Sequence, residues 1–312
     1  MKRVSIVGSG NVGGNTAFFL AENGTAAVTL VDVKEGVPKG KALDMMEAGP
    51  LRGYDTHIDG VDDIAAIAGS DVVVLAAGRV RKPGEDRADL FEDNAAIVRS
   101  VCARVRELCP RAVVVNLVEP IGAITMLAQE ELGFDRTRVL GIGGLLTSTR
   151  IRHLVAQALG VSPRETTALV IGPHRASMVV LKDTVRISGV PVAKLIGDER
   201  LDAIIAEARR AGDTILELAQ ASTSFYAPSA AAVTLIEAIA RDTHVILPVH
   251  MRLEGEYGVT GLCLGVPAQI GAAGVEKVIE LKLSDAERRA FEQAVTEVRT
   301  ALANEQRRLP AK

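Results

Sequence analysis

The sequence predicts an α/β fold: a doubly wound parallel sheet, followed by an α+β region that mixes helices with strands. Three observations predict it. Short, nearly all-apolar runs rich in β-branched residues alternate with helical stretches through the first half. Strands of that kind are buried on both faces, which requires helices above and below a parallel sheet. A glycine-rich turn follows the first run and opens the first helix. Beyond Gly143-Gly144 the alternation gives way to longer helices and β-rich pairs.

Taken in order, the strands are expected at Val4–Val7, Ala27–Val31, Asp71–Ala76 and Val113–Val118. Helices are expected at Asn11–Glu22, Lys39–Ala48 and Asn94–Leu108. The second half predicts a helix from about Ser148 to Leu159, β segments at Ala168–Ile171 and Met178–Leu181, and helices at Leu201–Ala219 and Ala230–Arg241. Strands return at Val245–Leu247 and Gly261–Gly265. The last helix begins near Ser284, where Ser-Asp-Ala-Glu has the form of a capping box. The expected division is a nucleotide-binding unit over residues 1–142 and a substrate unit over 143–312.

Composition narrows the function classes. The chain has 312 residues, 48% of them hydrophobic and 24% charged, enough for a sizeable core. The net charge of −3 and the lack of any Trp argue against nucleic acid and against an anionic membrane surface. No apolar run reaches transmembrane length, and Met1-Lys2-Arg3 runs straight into a strand, so a cytoplasmic location is expected. Cys102, Cys109 and Cys263 form no CxxC pair; free thiols and no metal are expected.

Gly8-Ser9-Gly10-Asn11-Val12-Gly13 follows a strand and opens a helix. The first glycine makes a tight turn, the second lets a pyrophosphate approach, and the third lets helix and strand pack. The helix N-terminus then faces phosphate charge. Asp32 ends the next strand 19 residues after Gly13. A carboxylate there accepts hydrogen bonds from ribose hydroxyls and repels a 2′-phosphate, which selects NAD over NADP. This is the fingerprint of a Rossmann domain. Ala76-Ala77-Gly78 would put small residues beside the cofactor.

Gly78-Arg79-Val80-Arg81-Lys82-Pro83-Gly84-Glu85-Asp86-Arg87 follows a buried strand, where such sheets bind ligands. Its glycines and proline suit a loop that closes over a site. With this loop the chain resembles the lactate/malate dehydrogenase family over essentially its whole length. The resemblance implies that Arg87 polarises a substrate carbonyl, and that Arg81 chooses the substrate. Glutamine at that position goes with pyruvate, whereas an arginine fork holds a second carboxylate, as in oxaloacetate. It also places Asn94 near the cofactor, and Asn116, after Val113-Val114-Val115, near substrate and nicotinamide.

Gly143-Gly144-Leu145-Leu146-Thr147-Ser148-Thr149-Arg150 matches the family pattern Gly-Gly-x-Leu-Asp-Ser-x-Arg. Arg150 is implied to grip the substrate's C1 carboxylate. Gly172-Pro173-His174-Arg175-Ala176-Ser177-Met178 matches Gly-x-His-Gly-Asp-Ser-Met, which makes His174 the acid/base. Ser224 and Pro228 are implied to line the pocket near the nicotinamide.

The chain departs from the family where the chemistry is most exacting. Thr147 stands where the family has the aspartate that supports the histidine, Arg175-Ala176 replace Gly-Asp, and Asn116-Leu117-Val118-Glu119-Pro120 replaces Asn-Pro-Val-Asp. An aspartate fixes the imidazole tautomer and stabilises the imidazolium, and its loss elsewhere has cost several orders of magnitude. Weaker proton delivery is therefore expected, with Arg175 adding positive charge nearby and Glu119 the acid nearest in the pattern to take the aspartate's place. The leading expectation is an NAD-dependent dehydrogenase of malate, a tricarboxylic acid cycle activity, working as a homodimer or homotetramer. A cofactor-binding relative with little activity, and a dehydrogenase of another 2-hydroxy acid, stay open at this point.

Overall fold

The computed structural model describes residues 2–80, 87–219 and 223–308, without the side chains of Arg87, Ala88, Gln306 and Arg308. The first half runs β1 (Lys2–Val7), α1 (Asn11–Glu22), β2 (Ala26–Val31), α2 (Val37–Arg52), β3 (Ile58–Val61), β4 (Val72–Leu75), α3 (Arg87–Leu108), β5 (Val113–Asn116), α4 (Ile121–Leu132) and β6 (Val139–Gly141). The second half runs α5 (Gly143–Leu159), β7 (Thr166–Ile171), β8 (Val179–Ile187), β9 (Val190–Pro191), α6 (Ala193–Ile196) and α7 (Asp198–Ala219). It ends with α8 (Tyr226–Ala240), β10 (Val245–Glu254), β11 (Thr260–Gly271), β12 (Gly274–Val278) and α9 (Asp285–Arg308).

The six strands of the first half lie parallel in the order β3-β2-β1-β4-β5-β6. That is the dinucleotide-binding order, with its switch point between β1 and β4. Val72, Val73, Val74 and Val113, Val114, Val115 are fully buried, because helices cover both faces. β10 then joins β6 antiparallel through the single pairing of His250 with Gly141, and β11 and β12 extend the sheet to nine strands. The two halves thus share one sheet, and a second, three-stranded sheet β7-β8-β9 stands apart from it.

Several elements exceed their expected bounds. α5 begins at Gly143, five residues before Ser148. Two glycines are poor helix formers, yet both are buried: a Cβ on Gly144 would lie 2.8 Å from the Pro248 carbonyl oxygen. Close approach to β10 makes the glycines part of the helix. α8 likewise starts at Tyr226 and carries Pro228 in its first turn, where a missing N–H costs nothing. α3 starts at Arg87 rather than Asn94, and β10 extends to Glu254 because β11 pairs with it along its length.

Candidate active site

At the end of β1 the chain turns through Gly8 at φ +113°, where a Cβ would strike the Ala76 backbone at 2.4 Å. A Cβ on Gly13 would stand 1.9 Å from the Gly8 carbonyl oxygen, whereas one on Gly10 would meet nothing within 4 Å. Gly8 and Gly13 therefore close the turn and Gly10 keeps its outer side open. No side chain caps the start of α1, so the first N–H groups, from Asn11 through Gly13, can take phosphate oxygens. Asp32 Oδ2 accepts from both the Ser9 amide at 2.7 Å and the Ser9 hydroxyl at 2.8 Å. Burial works against its charge, but the Ser9 bonds and Lys34 hold its pKa below the ordinary value. The donors and the open turn fit a dinucleotide of the NAD type.

A cleft of about 270 Å³ runs from Val12 and Gly78 to Thr147, Arg150, His174 and Ser224. It lies between the carboxyl ends of the parallel strands and the second half of the chain. Thr147, 3% exposed, sits within the first two turns of α5, one turn before Arg150. Its hydroxyl lies 3.0 Å from the Gly143 carbonyl and 2.9 Å from His174 Nδ1. A carbonyl can only accept, so the hydroxyl proton goes to Gly143 and Thr147 Oγ1 accepts from His174 Nδ1–H. In the neutral ring Nε2 is then the nitrogen without a proton. The tautomer that an aspartate would enforce is enforced here without a charge.

Glu119 Oε1 lies 3.6 Å from His174 Nε2. This corrects the expectation that Glu119 replaces the aspartate. It stands beyond hydrogen-bond reach, on the other nitrogen, and acts at ion-pair range. Its second oxygen accepts the Ile121 amide at 2.9 Å, at the positive end of α4. Arg175 pairs with Glu305 at 3.1 Å, so its charge does not press unopposed on His174 as expected.

Arg150 is largely buried, with no hydrogen-bond partner for Nε among the described residues. Burial draws its pKa below the ordinary value, against the opposing pull of Glu119 and Asp213. The guanidinium remains charged at neutral pH.

Asn116 and Asn94 both bond to nearby backbone. Asn116 is buried and does not line the cleft; its amide nitrogen donates to Val118 O at 3.1 Å and Thr125 Oγ1 at 3.0 Å, and its oxygen accepts the Val118 amide at 2.9 Å. It braces the loop that carries Glu119. Asn94 does similar work. It accepts the Arg79 amide at 2.8 Å and donates to the Glu119 carbonyl at 2.8 Å, clamping the Gly78 turn to the same loop. Arg81 lies outside the described residues, as does the side chain of Arg87.

Sequence reasoning missed Arg209, Asp213 and His250. Arg209 and Asp213 face the cleft from α7, one helical turn apart, a spacing the sequence displays. His250 interrupts the apolar run of β10 and is 1% exposed. Away from the cleft, Asp242, His244 and Glu276 hold ligand-type atoms within 4.8 Å of one another. All three are exposed, and His244 Nδ1 is bonded to Glu276 at 2.9 Å.

Comparison with known proteins gives the lineage of this arrangement. Residues 2–141 match the lactate/malate dehydrogenase NAD binding domain, and residues 145–307 match the lactate/malate dehydrogenase alpha/beta C-terminal domain. The chain belongs to the lactate/malate dehydrogenase family. The malate dehydrogenase of Thermomicrobium roseum is 43% identical over 298 residues, covering 96% of each chain. That of Roseiflexus sp. (strain RS-1) is 41% identical over 301 residues, 96% of this chain and 97% of the relative. Among solved structures, Cryptosporidium parvum malate dehydrogenase superposes with a TM-score of 0.95 at 34% identity, over 98% of this chain and 99% of that one. The lactate dehydrogenase of the same organism, solved with lactic acid and nicotinamide adenine dinucleotide, gives 0.94 at 34% identity, over 99% of each chain. As a family member the chain is an oxidoreductase with an NAD-binding domain. Among its described residues no helix is long and apolar enough to cross a membrane.

Proposed function

We propose that this chain interconverts malate and oxaloacetate with NAD. The observation that carries the reading is the convergence of an oriented imidazole, His174, and a buried, unpaired guanidinium nitrogen, Arg150, in one cleft that opens onto the glycine turn of β1 and α1. Bound NAD supplies the hydride acceptor or donor. Gly8, Gly10, Asn11, Val12 and Gly13 form its pyrophosphate cradle, with Asp32 at the ribose and Gly78 beside it. Asn94 and Asn116 act one layer back by holding the walls.

Arg150 binds the C1 carboxylate in a two-bond fork, which orients the 2-oxo carbon toward the cofactor. His174 Nε2 gives its proton to the carbonyl oxygen on reduction and takes it from the hydroxyl on oxidation. Thr147 keeps Nδ1 engaged so that Nε2 faces substrate. Glu119, at ion-pair range, favours the imidazolium that reduction needs. Arg87 polarises the carbonyl and Arg81 takes the second carboxylate. Ser224 lines the far wall. We further propose the domain division at 142/143, a cytoplasmic location, a place in the tricarboxylic acid cycle and a homodimeric or homotetrameric assembly. The relatives named malate dehydrogenase at about 40% identity support the substrate choice. Arg81→Gln tests it: oxaloacetate reduction is expected to fall and pyruvate reduction to rise. A variant that keeps the wild-type preference overturns the assignment.

A further inference from the structure

Behind His174 lies a second space of about 30 Å³. Its wall toward the cleft is made of Glu119, His174 and Arg175, which line both spaces. Its floor is His250, and α9 borders it with Glu305. A water needs roughly 10–15 Å³ of such space and two or more polar partners. Both conditions hold here.

His250 is unusual in this setting. Neither ring nitrogen has a hydrogen-bond partner among the described residues, although the residue is almost fully buried. Buried polar atoms without partners are rare and mark a water or a function. The ring has room only because its neighbours are glycines. A Cβ on Gly143 would lie 2.7 Å from His250 Cε1 and 2.8 Å from His174 Cβ; one on Gly265 would lie 3.0 Å from Cε1, and one on Gly141 3.2 Å from His250 Cβ. The two histidines therefore sit on either side of Gly143, whose carbonyl ends the His174–Thr147 chain.

We infer that His250 is a positioning residue: it holds a water in this space, and the water holds the Glu119 carboxylate at His174 Nε2. The negative charge that the family keeps on Nδ1 is here supplied at the opposite nitrogen, through a water relay that starts at the buried His250 ring. Burial and the neighbouring His174 depress the His250 pKa to about 3, so it offers a neutral ring, one nitrogen donating and one accepting. The inference rests on the reading of His174 as the acid/base.

Among the described residues, the other charges lining the two spaces with His174 are Arg79 from the Gly78 turn, Arg150 from α5, Arg175 from its own turn, Arg209 and Asp213 from α7 across the cleft, and Glu305 from α9. The β11 thiol of Cys263 borders the space; burial raises its pKa far above the ordinary value, so it stays neutral. Changes at His250 leave these groups in place, whereas Glu119→Gln also removes the pull of Glu119 on Arg150, so the His250 variants are the ones that report the relay.

The test is a histidine NMR titration of the protein without substrate. The chain has five histidines, and His174→Gln assigns the resonance. His250→Phe keeps the ring's bulk and removes its nitrogens. The His174 midpoint is expected to fall by about one pH unit in H250F and comparably in E119Q, with no further fall in the double variant. H250Q, which keeps a donor and an acceptor, is expected to restore most of it. If H250F does not fold, H250M replaces it as the apolar probe. An unshifted midpoint in the apolar variant, additive shifts in the double variant, or a dry cavity in a crystal structure would overturn the inference. Because the midpoint is read without turnover, failure of the enzyme on oxaloacetate is a separate result.

Discussion

Thr147 accepts the Nδ1 proton of His174 at 2.9 Å and passes its own to the Gly143 carbonyl at 3.0 Å. Orientation and charge, which one aspartate supplies together, are separated here. The threonine orients the ring, and Glu119 carries the charge on the other side at 3.6 Å.

Thr147→Val removes the acceptor while keeping the shape. The imidazole then loses its fixed tautomer, and kcat for the reductive direction is expected to fall by about 100-fold. Thr147→Asp restores a charged acceptor and is expected to move the pH limb assigned to His174 upward by one unit or more. Rate profiles across pH for both variants check this. Equal activity of T147V and wild type would mean that orientation comes from elsewhere.

Gly143 separates the two histidines, so its missing side chain is a requirement of both. Gly143→Ala is expected to destabilise the fold by about 1–3 kcal/mol through overpacking and to depress activity. Adding His250→Ala should return part of the stability. Denaturant unfolding of the single and double variants measures the coupling; strictly additive changes would contradict the contact.

Four carboxylates set the acid limit of the fold. Hydrogen bonds from Thr137 hold Asp135 below its ordinary pKa. At Asp32, Asp71 and Glu256 burial opposes the charge, but bonds from Ser9, from Arg3 and Lys2, and from Arg136 respectively outweigh it. A depressed carboxylate stabilises the fold above its unfolded value, near 4, and that contribution is lost as pH falls through the folded value. The melting temperature is expected to drop steeply below about pH 4. A melting temperature that stays level down to about pH 3 would contradict it.

The parallel sheet was legible because Val72–Leu75 and Val113–Val115 are apolar on both faces and alternate with helical stretches, the pattern of a covered parallel sheet. The glycine turn was legible because each glycine has its own steric reason, and Gly8, Gly10 and Gly13 bear those reasons out in their surroundings. The hydrogen bonds of Asn94 and Asn116 were not legible. Sequence position puts them beside the site, but whether an amide points outward or into its own loop is decided by nearby backbone groups such as Val118 and Arg79. His250 was hidden for another reason. The seam where β10 meets β6 at Gly141 joins residues more than a hundred positions apart, and local patterning carries no trace of it.

The central claim is that a histidine oriented by a threonine still delivers a proton at a useful rate. Steady-state NADH oxidation with oxaloacetate tests it most directly, with pyruvate as comparison and NADH binding followed in parallel. Turnover near 10 per second or above on oxaloacetate, an ordinary enzyme rate, with pyruvate far slower, is the predicted result. Tight NADH binding with no turnover on either acid would contradict it.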